Sequence, residues 1–264
     1  MVRRSSVTIE EVRDYWDKNP LCASGIPHPI GSPEYFSFYD GLREANETPE
    51  FSCGLHEYRK FAGKRVLDVG CGNGYVLERY AREGAEVFGV DITETAVDLC
   101  RKRFALSGQK GDFRVADAES LPFGDGSFDC VCSMGVLHHT PRPDKAVAEI
   151  HRVLAAGGML IVMFYHRNSL YHRVGMPLRW LLTGKPVRRQ VDEVDGIGNP
   201  KGDVFSRKEL AELLSRFSGL EFFSGLLTGE MILPVIGKAL FPGSVLKRLE
   251  RRFGWFLYAK AVKP

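Results

Sequence analysis

The sequence contains no run of about 18 uninterrupted apolar residues, so nothing in it reads as a membrane-crossing helix. Its opening, Met1-Val2-Arg3-Arg4-Ser5-Ser6, lacks the apolar centre of a signal peptide, and the expectation is a cytoplasmic protein. None of the six cysteines (Cys22, Cys53, Cys71, Cys100, Cys130, Cys132) falls in a C-x-x-C pair. Reduced, mostly buried thiols are therefore expected, without a disulfide frame or a metal site. A large excess of one charge is absent too: 36 Lys+Arg stand against 33 Asp+Glu, a net +3. The distribution is uneven, because residues 1–165 hold 19 basic against 24 acidic residues and residues 166–264 hold 17 against 9. That gives −5 followed by +8. The second half would suit an anionic partner such as nucleic acid or phospholipid, or simply present a solvated basic face. With 264 residues, 44% hydrophobic and 26% charged, the chain suffices for one large α/β domain carrying insertions.

What the sequence does have is Val66-Leu67-Asp68-Val69-Gly70-Cys71-Gly72-Asn73-Gly74, an apolar run ending in glycines at every second position. It reads as a strand breaking into a tight turn before a helix that starts near Tyr75. Glycine suits the turn's unusual backbone angles and lets a ligand approach the main chain. The free N–H groups at the helix start could face a polar or anionic group. A dinucleotide-binding turn would read G-x-G-x-x-G with an acid about 20 residues on. Here Gly74 comes one residue early and Tyr75 occupies the third glycine's place, while an acid does end the next apolar run, Glu86-Val87-Phe88-Gly89-Val90-Asp91. The ribose reader survives and the pyrophosphate geometry does not, which points to a single nucleoside and away from an NAD enzyme.

Along the chain, Ile9, Val12, Tyr15 and Trp16 have helical spacing. Pro20, Pro27, Pro29 and Pro33 forbid regular helix through Ser32, and Tyr35, Phe36, Phe38, Tyr39 and Leu42 mark a second helix. Strands are expected at about 65–70, 85–90, 112–116, 128–133 and 158–165, with helices at about 74–83, 93–106 and 144–154. This alternation implies a parallel sheet covered on both faces, with ligands beyond the carboxyl ends of its strands. Asp68, Asp91, Asp117 and His138 all fall at those ends. Ser206 with Glu209 forms a capping box for a helix to about Phe217, and strands follow at about 220–224 and Trp255–Val262. Two inserts interrupt the pattern. One is rich in basic and apolar residues from His166 to Phe205. The other runs from Met231 to Phe253, where apolar residues precede Lys247, Arg248, Arg251 and Arg252.

The glycine turn, with Asp68 before it, Asp91 after the second strand and Asp117-Ala118-Glu119 after the third, resembles class I S-adenosylmethionine-dependent methyltransferases, closest to the small-molecule type 11 kind. The resemblance covers about residues 60–165 strongly and 205–262 loosely. It implies an α/β, Rossmann-like three-layer sandwich with a mostly parallel seven-stranded sheet, an antiparallel last strand, an N-terminal lid over residues 1–60, and cap insertions at 166–205 and 225–253 in a domain spanning 61–264. The last two strands are expected to form a hairpin whose turn is replaced by the second insert.

By that resemblance the cofactor is S-adenosyl-L-methionine. Gly70, Cys71, Gly72, Asn73 and Gly74 pack against its methionine part, with Asp68 reaching the ammonium. Asp91 takes the ribose hydroxyls, Ile92 lies on the adenine, and Asp117, Ala118 and Glu119 border the adenine amino group and ring. A plain helix cap before Thr93 is the alternative for Asp91, and a plain loop carboxylate for Asp117. Ser133 and Met134, followed by His138 and His139, match the family's motif after the fourth strand, where His138 borders the cofactor. A histidine there is a candidate general base, and His138, His166 and Tyr15 are the catalytic candidates, with Tyr165 also at the fifth strand's end and His139 as a turn cap. Tyr15, His28 and Tyr39 are the lid residues to test.

The expected reaction is methyl transfer to a small-molecule acceptor at oxygen, carbon, nitrogen or sulfur. The apolar inserts lean toward a lipophilic acceptor and peripheral contact with a membrane or lipid surface, and the unclustered cysteines argue against metalloid chemistry. Competing readings are a non-catalytic adenosylmethionine-binding subunit and nucleic-acid methylation or binding. No stable nucleic-acid partner is expected, because the chain lacks both the Asn-Pro-Pro-Tyr type of motif after strand four and an aromatic-basic interleave.

Overall fold

The computed structural model describes residues 7–20 and 25–264. Cys22 and the opening residues Met1 to Ser6 therefore lie outside the described residues. Three helices lead into the sheet: α1 (Ile9–Lys18), α2 (Pro33–Asn46) and α3 (Pro49–His56). Their starts follow from local chemistry. Thr8 and Glu11 form a reciprocal capping box, while Ser32 and Thr48 cap the next two helices, each with proline in the first turn, where its missing N–H costs nothing. The helix α3 has no counterpart in the sequence-based expectation, although Thr48-Pro49 signals it.

The alternating core runs β1 (Arg65–Val69), α4 (Tyr75–Arg82), β2 (Glu86–Asp91), α5 (Glu94–Ser107), β3 (Asp112–Val115), β4 (Phe128–Met134), α6 (Pro143–Val153) and β5 (Leu154–His166). The strand β5 leaves α6 without a loop, four residues earlier than the apolar pattern predicts. After it come a π-helical turn (Tyr171–Gly175), α7 (Met176–Thr183), α8 (Val187–Asp192) and the two-residue β6 (Val204–Phe205). Then follow α9 (Arg207–Leu213), with the expected Ser206/Glu209 capping box, and β7 (Ser218–Gly225). The chain closes through α10 (Gly229–Ile232), α11 (Gly237–Leu240), α12 (Gly243–Phe253) and β8 (Phe256–Val262).

The strand order is β3-β2-β1-β4-β5-β8-β7, with β6 pairing β5 off this path. Pairs among β1 to β5 are parallel, and β8 is antiparallel to both β5 and β7. The seven expected strands form the continuous sheet; the short β6, which pairs parallel with Tyr165 and His166, is an addition. The β7–β8 hairpin exists, with α10, α11 and α12 in place of its turn.

Period-two alternation divides the core between the sheet's faces. Val66 joins Tyr75, Leu77, Tyr80 and Phe104 in one buried cluster, whereas Leu67 and Val69 join Ile150, Leu154 and Leu210 in the other. Each such side chain contributes about 1.5–3 kcal/mol of transfer free energy. The carboxyl ends of β1, β2, β4 and β5 meet at one edge, because parallel pairing with right-handed crossovers leaves no other arrangement.

Candidate functional site

At that edge lies a cleft of about 1430 Å³ counted out to open solvent. The turn after β1 forms its floor. Gly70 N and Cys71 N both donate to Val90 O, at 2.7 and 2.9 Å, which ties the turn to β2. Gly70 has φ +80°, and a Cβ there would come 2.3 Å from Val136 Cγ2. Gly72 has φ +52° with nothing within 4 Å of its would-be Cβ, so it faces open cleft. Gly74 does not line the cleft; it precedes α4 with φ +80° and abuts Cys100.

Three acids from three strands share the lining: Asp68, Asp91 and Asp117. Asp68 is 3% exposed, and its Oδ1 has no hydrogen-bond partner. Burial raises its pKa from 3.8 to about 7, against the lowering effects of the Cys132 thiol and Arg43. Asp91 Oδ2 accepts from Gly72 N at 3.1 Å, and Oδ1 accepts from Thr93 N and Oγ1 at 3.1 and 3.0 Å. Its pKa is raised by burial in spite of these donors. Thr93 caps α5 by accepting from Ala96 N, and Asp91 in turn holds both that cap and the glycine turn. Asp117 Oδ1 accepts from Glu119 N at 2.8 Å. Cys71, Asn73, Ile92, Ala118 and Met134 also line the cleft.

Other sequence candidates stand elsewhere. Glu119 is buried and accepts from Arg142 N at 2.8 Å, and Ser133 Oγ donates to Val69 O at 2.8 Å; neither lines the cleft. His138 is fully buried, its ring 4.0 Å from that of Tyr165, and burial holds its pKa well below 6.5. His166 donates through Nδ1 to Gly254 O at 3.1 Å and is likewise buried. Neither histidine faces the cleft, because β5 and the turn after β4 point these rings into the protein; the neighbour His139 faces it instead. Tyr15 stands outside the lining beside Gly196, while Trp16 lines the cleft and meets the His139 ring edge-on at 5.2 Å. Tyr39 lines the cleft and packs on Tyr75, whereas His28 packs on Phe38.

Sequence reasoning missed three lining residues. Arg43 projects from α2, bonded to Glu47 at 2.9 Å, and Glu47 in turn accepts from Tyr258 Oη at 2.5 Å. Neighbouring Glu47 raises the Arg43 pKa against the effect of burial. His139 and Asp195 are the others: His139 Nε2 lies 3.1 Å from Asp195 Oδ2, and Tyr165 Oη donates to the same oxygen. Ile9, Val12, Tyr35, Met163 and Phe256 give this end an apolar wall.

The family model for a methyltransferase domain matches residues 67–162, the span that holds the glycine turn and all three acids. Over that span the chain is similar to methyltransferase domains. Among curated relatives, this domain is 41% identical over 108 residues to a ubiquinone biosynthesis O-methyltransferase from Aromatoleum aromaticum, covering 40% of this chain and 46% of the relative. It is 36% identical over 140 residues to the Ruegeria pomeroyi enzyme of the same name, covering 51% and 56%. The chain spans about half the length of the curated relatives it matches. Solved structures extend the likeness in fold to nearly the whole chain. The magnesium protoporphyrin IX methyltransferase of Synechocystis PCC 6803, with bound SAH, matches with TM-score 0.61 at 16% identity over 96% of this chain and 98% of that one. The cyclase SpnF matches with TM-score 0.64 at 21% identity over 98% and 97%. A cyclase on the same fold means that the chemistry must be argued from the site.

Proposed function

We propose that the protein transfers a methyl group from S-adenosylmethionine to a hydroxyl of an apolar small molecule. The observation that carries the reading is the buried Asp68 Oδ1 without a partner in a cleft that also contains Arg43. A buried carboxylate oxygen left without a partner is costly, and a cation restores what burial removes. Asp68 would hold an α-ammonium, Arg43 an α-carboxylate, and the open Gly72 would let the main chain approach closely. Asp91 offers acceptor oxygens suited to a ribose diol, Asp117 one suited to an adenine amino group, and Ile92 an apolar surface for the ring. Bound there, S-adenosylmethionine supplies a methyl group already activated as a sulfonium. The chain's own contribution is then position, orientation and exclusion of water.

The acceptor end supports a lipophilic substrate, since Ile9, Val12, Trp16 and Phe256 wall it. The curated relatives' names favour oxygen as the accepting atom, and this preference becomes ours for the present chain. In the same reading residues 1–60 act as the lid and 166–205 and 225–253 as caps, on a protein that works in the cytoplasm without a stable nucleic-acid partner. Calorimetric titration with S-adenosylhomocysteine tests the assignment. The intact protein should bind in the micromolar range, and Asp91→Ala and Arg43→Met should each weaken binding at least tenfold at a temperature where circular dichroism shows both variants still folded. Affinity unchanged in both variants would sink the site.

A further inference from the structure

The cap between β5 and β6 brings a carboxylate into the cleft that lies outside the matched methyltransferase domain. Asp195 sits in the turn after α8, and three bonds pin this region to the turn after β4. Asp203 N donates to His138 O at 3.0 Å, Lys201 Nζ to Thr140 O at 2.5 Å, and His139 Nδ1 to Lys201 O. Lys201 itself is 1% exposed and paired with Asp203 at 2.7 Å, so the anchor is buried and fixed. A carbonyl only accepts, so His139 Nδ1 must carry a proton. Its other nitrogen, Nε2, lies 3.1 Å from Asp195 Oδ2, while the Tyr165 hydroxyl donates to that same oxygen.

We propose that Asp195 is the catalytic proton acceptor for the hydroxyl being methylated, with His139 and Tyr165 as its positioning residues. This rests on the methyl-transfer reading above. The Tyr165 hydroxyl already donates to the carboxylate, so a cationic amine would gain less from it, whereas a neutral hydroxyl has a proton to shed. In the step, an oxygen lone pair forms the bond to the methyl carbon and the sulfur–carbon pair returns to sulfur. The O–H proton passes to Asp195. As the methyl arrives the oxygen gains oxonium character and becomes strongly acidic, so a carboxylate that already accepts from Tyr165 remains a competent acceptor. His138, His139 and Asp195 also place three atoms of metal-ligand type within 4.8 Å of one another. The Lys201 carbonyl takes His139 Nδ1 and the Tyr165 hydroxyl already donates to Asp195 Oδ2, which favours a proton network over a cation site.

The test uses 4-nitrophenol, whose absorption moves to longer wavelength when its hydroxyl donates to a carboxylate, added to the full chain saturated with S-adenosylhomocysteine. In the wild type the bound neutral phenol should show this shift at a pH where free phenol is also neutral. Asp195→Asn should bind S-adenosylhomocysteine within twofold of wild type yet lose the shift, and Asp195→Glu should restore part of it. Tyr165→Phe should weaken the shift without abolishing it. An equal shift in Asp195→Asn, no phenol binding to the wild type, or a shift lost to a chelator and restored by a divalent ion would each overturn the assignment. Failure of the wild type to bind S-adenosylhomocysteine would overturn the donor reading instead, and this inference with it.

Discussion

If Asp68 receives a cationic group, binding must release a proton near neutral pH. Its folded pKa of about 7 lies above its ordinary 3.8, so the free protein holds a proton there that an unfolded chain would have lost. An ammonium ligand needs the carboxylate charged. At pH 7 about half the free molecules must give up that proton on binding, close to all of them near pH 6 and few above pH 8. Affinity should then fall by about tenfold per unit as pH drops below 7. The same shift predicts stability of the free protein. Because the folded state holds more protons between pH 3.8 and about 7, stability falls as pH rises through that window, by an amount on the order of 4 kcal/mol. Asp68→Asn removes the titration while keeping the shape. It should melt higher than wild type above pH 7, by several degrees, at about 2–4 °C per kcal/mol for a chain of this size. It should also bind S-adenosylhomocysteine at least tenfold more weakly. Calorimetry in buffers of different ionisation enthalpy counts the released protons directly. Asp91, whose pKa burial also raises, is unchanged in that variant, so proton release undiminished in Asp68→Asn would refute the argument for Asp68.

Gly72→Ala isolates ligand approach from fold. At φ +52° with open space around the new Cβ, the variant should cost about 1–2 kcal/mol in denaturant unfolding, yet lose S-adenosylhomocysteine affinity by a larger factor; intact affinity would place the ligand elsewhere. Arg103 is 3% exposed and bonds Asp40, Glu78 and the Asn73 carbonyl, linking α2 to the glycine turn. Arg103→Met should destabilise by about 3–5 kcal/mol by leaving Glu78 buried without this partner, and a loss below 1 kcal/mol would show that the network matters little. Leu181, Leu182 and Val235 are 74, 72 and 91% exposed, and α12 carries Lys247, Arg248, Arg251 and Arg252 without one buried residue. Sedimentation with anionic phospholipid vesicles should retain the protein at low salt and release it at high salt, and Leu181→Ser with Leu182→Ser should reduce retention; equal recovery on neutral vesicles would exclude the basic contribution.

The parts of the fold legible in the sequence were those where a local rule and the tertiary structure agree. Val66 to Val69 alternate between two buried layers, Gly70 meets Val136 where no side chain fits, and Ser206 with Glu209 caps a helix as its spacing implies. The residues of the cleft floor were legible for the same reason: each follows a strand, and parallel strands deliver their ends to one edge. The acceptor end depends on register between distant segments, which no local pattern encodes. His138 and His139 are adjacent and chemically alike, and only the turn after Val136 decides that the second faces the cleft. Asp195 stands 56 positions after His139 in a segment with no periodic signal, and its place follows from Lys201, a residue whose near-complete burial its sequence context does not announce. The acids of the cleft floor are thus written in strand ends, whereas His139 and Asp195 meet through how an insert folds back. An exchange of residues 185–203 between relatives of this fold should therefore alter the acceptor far more than the methyl donor.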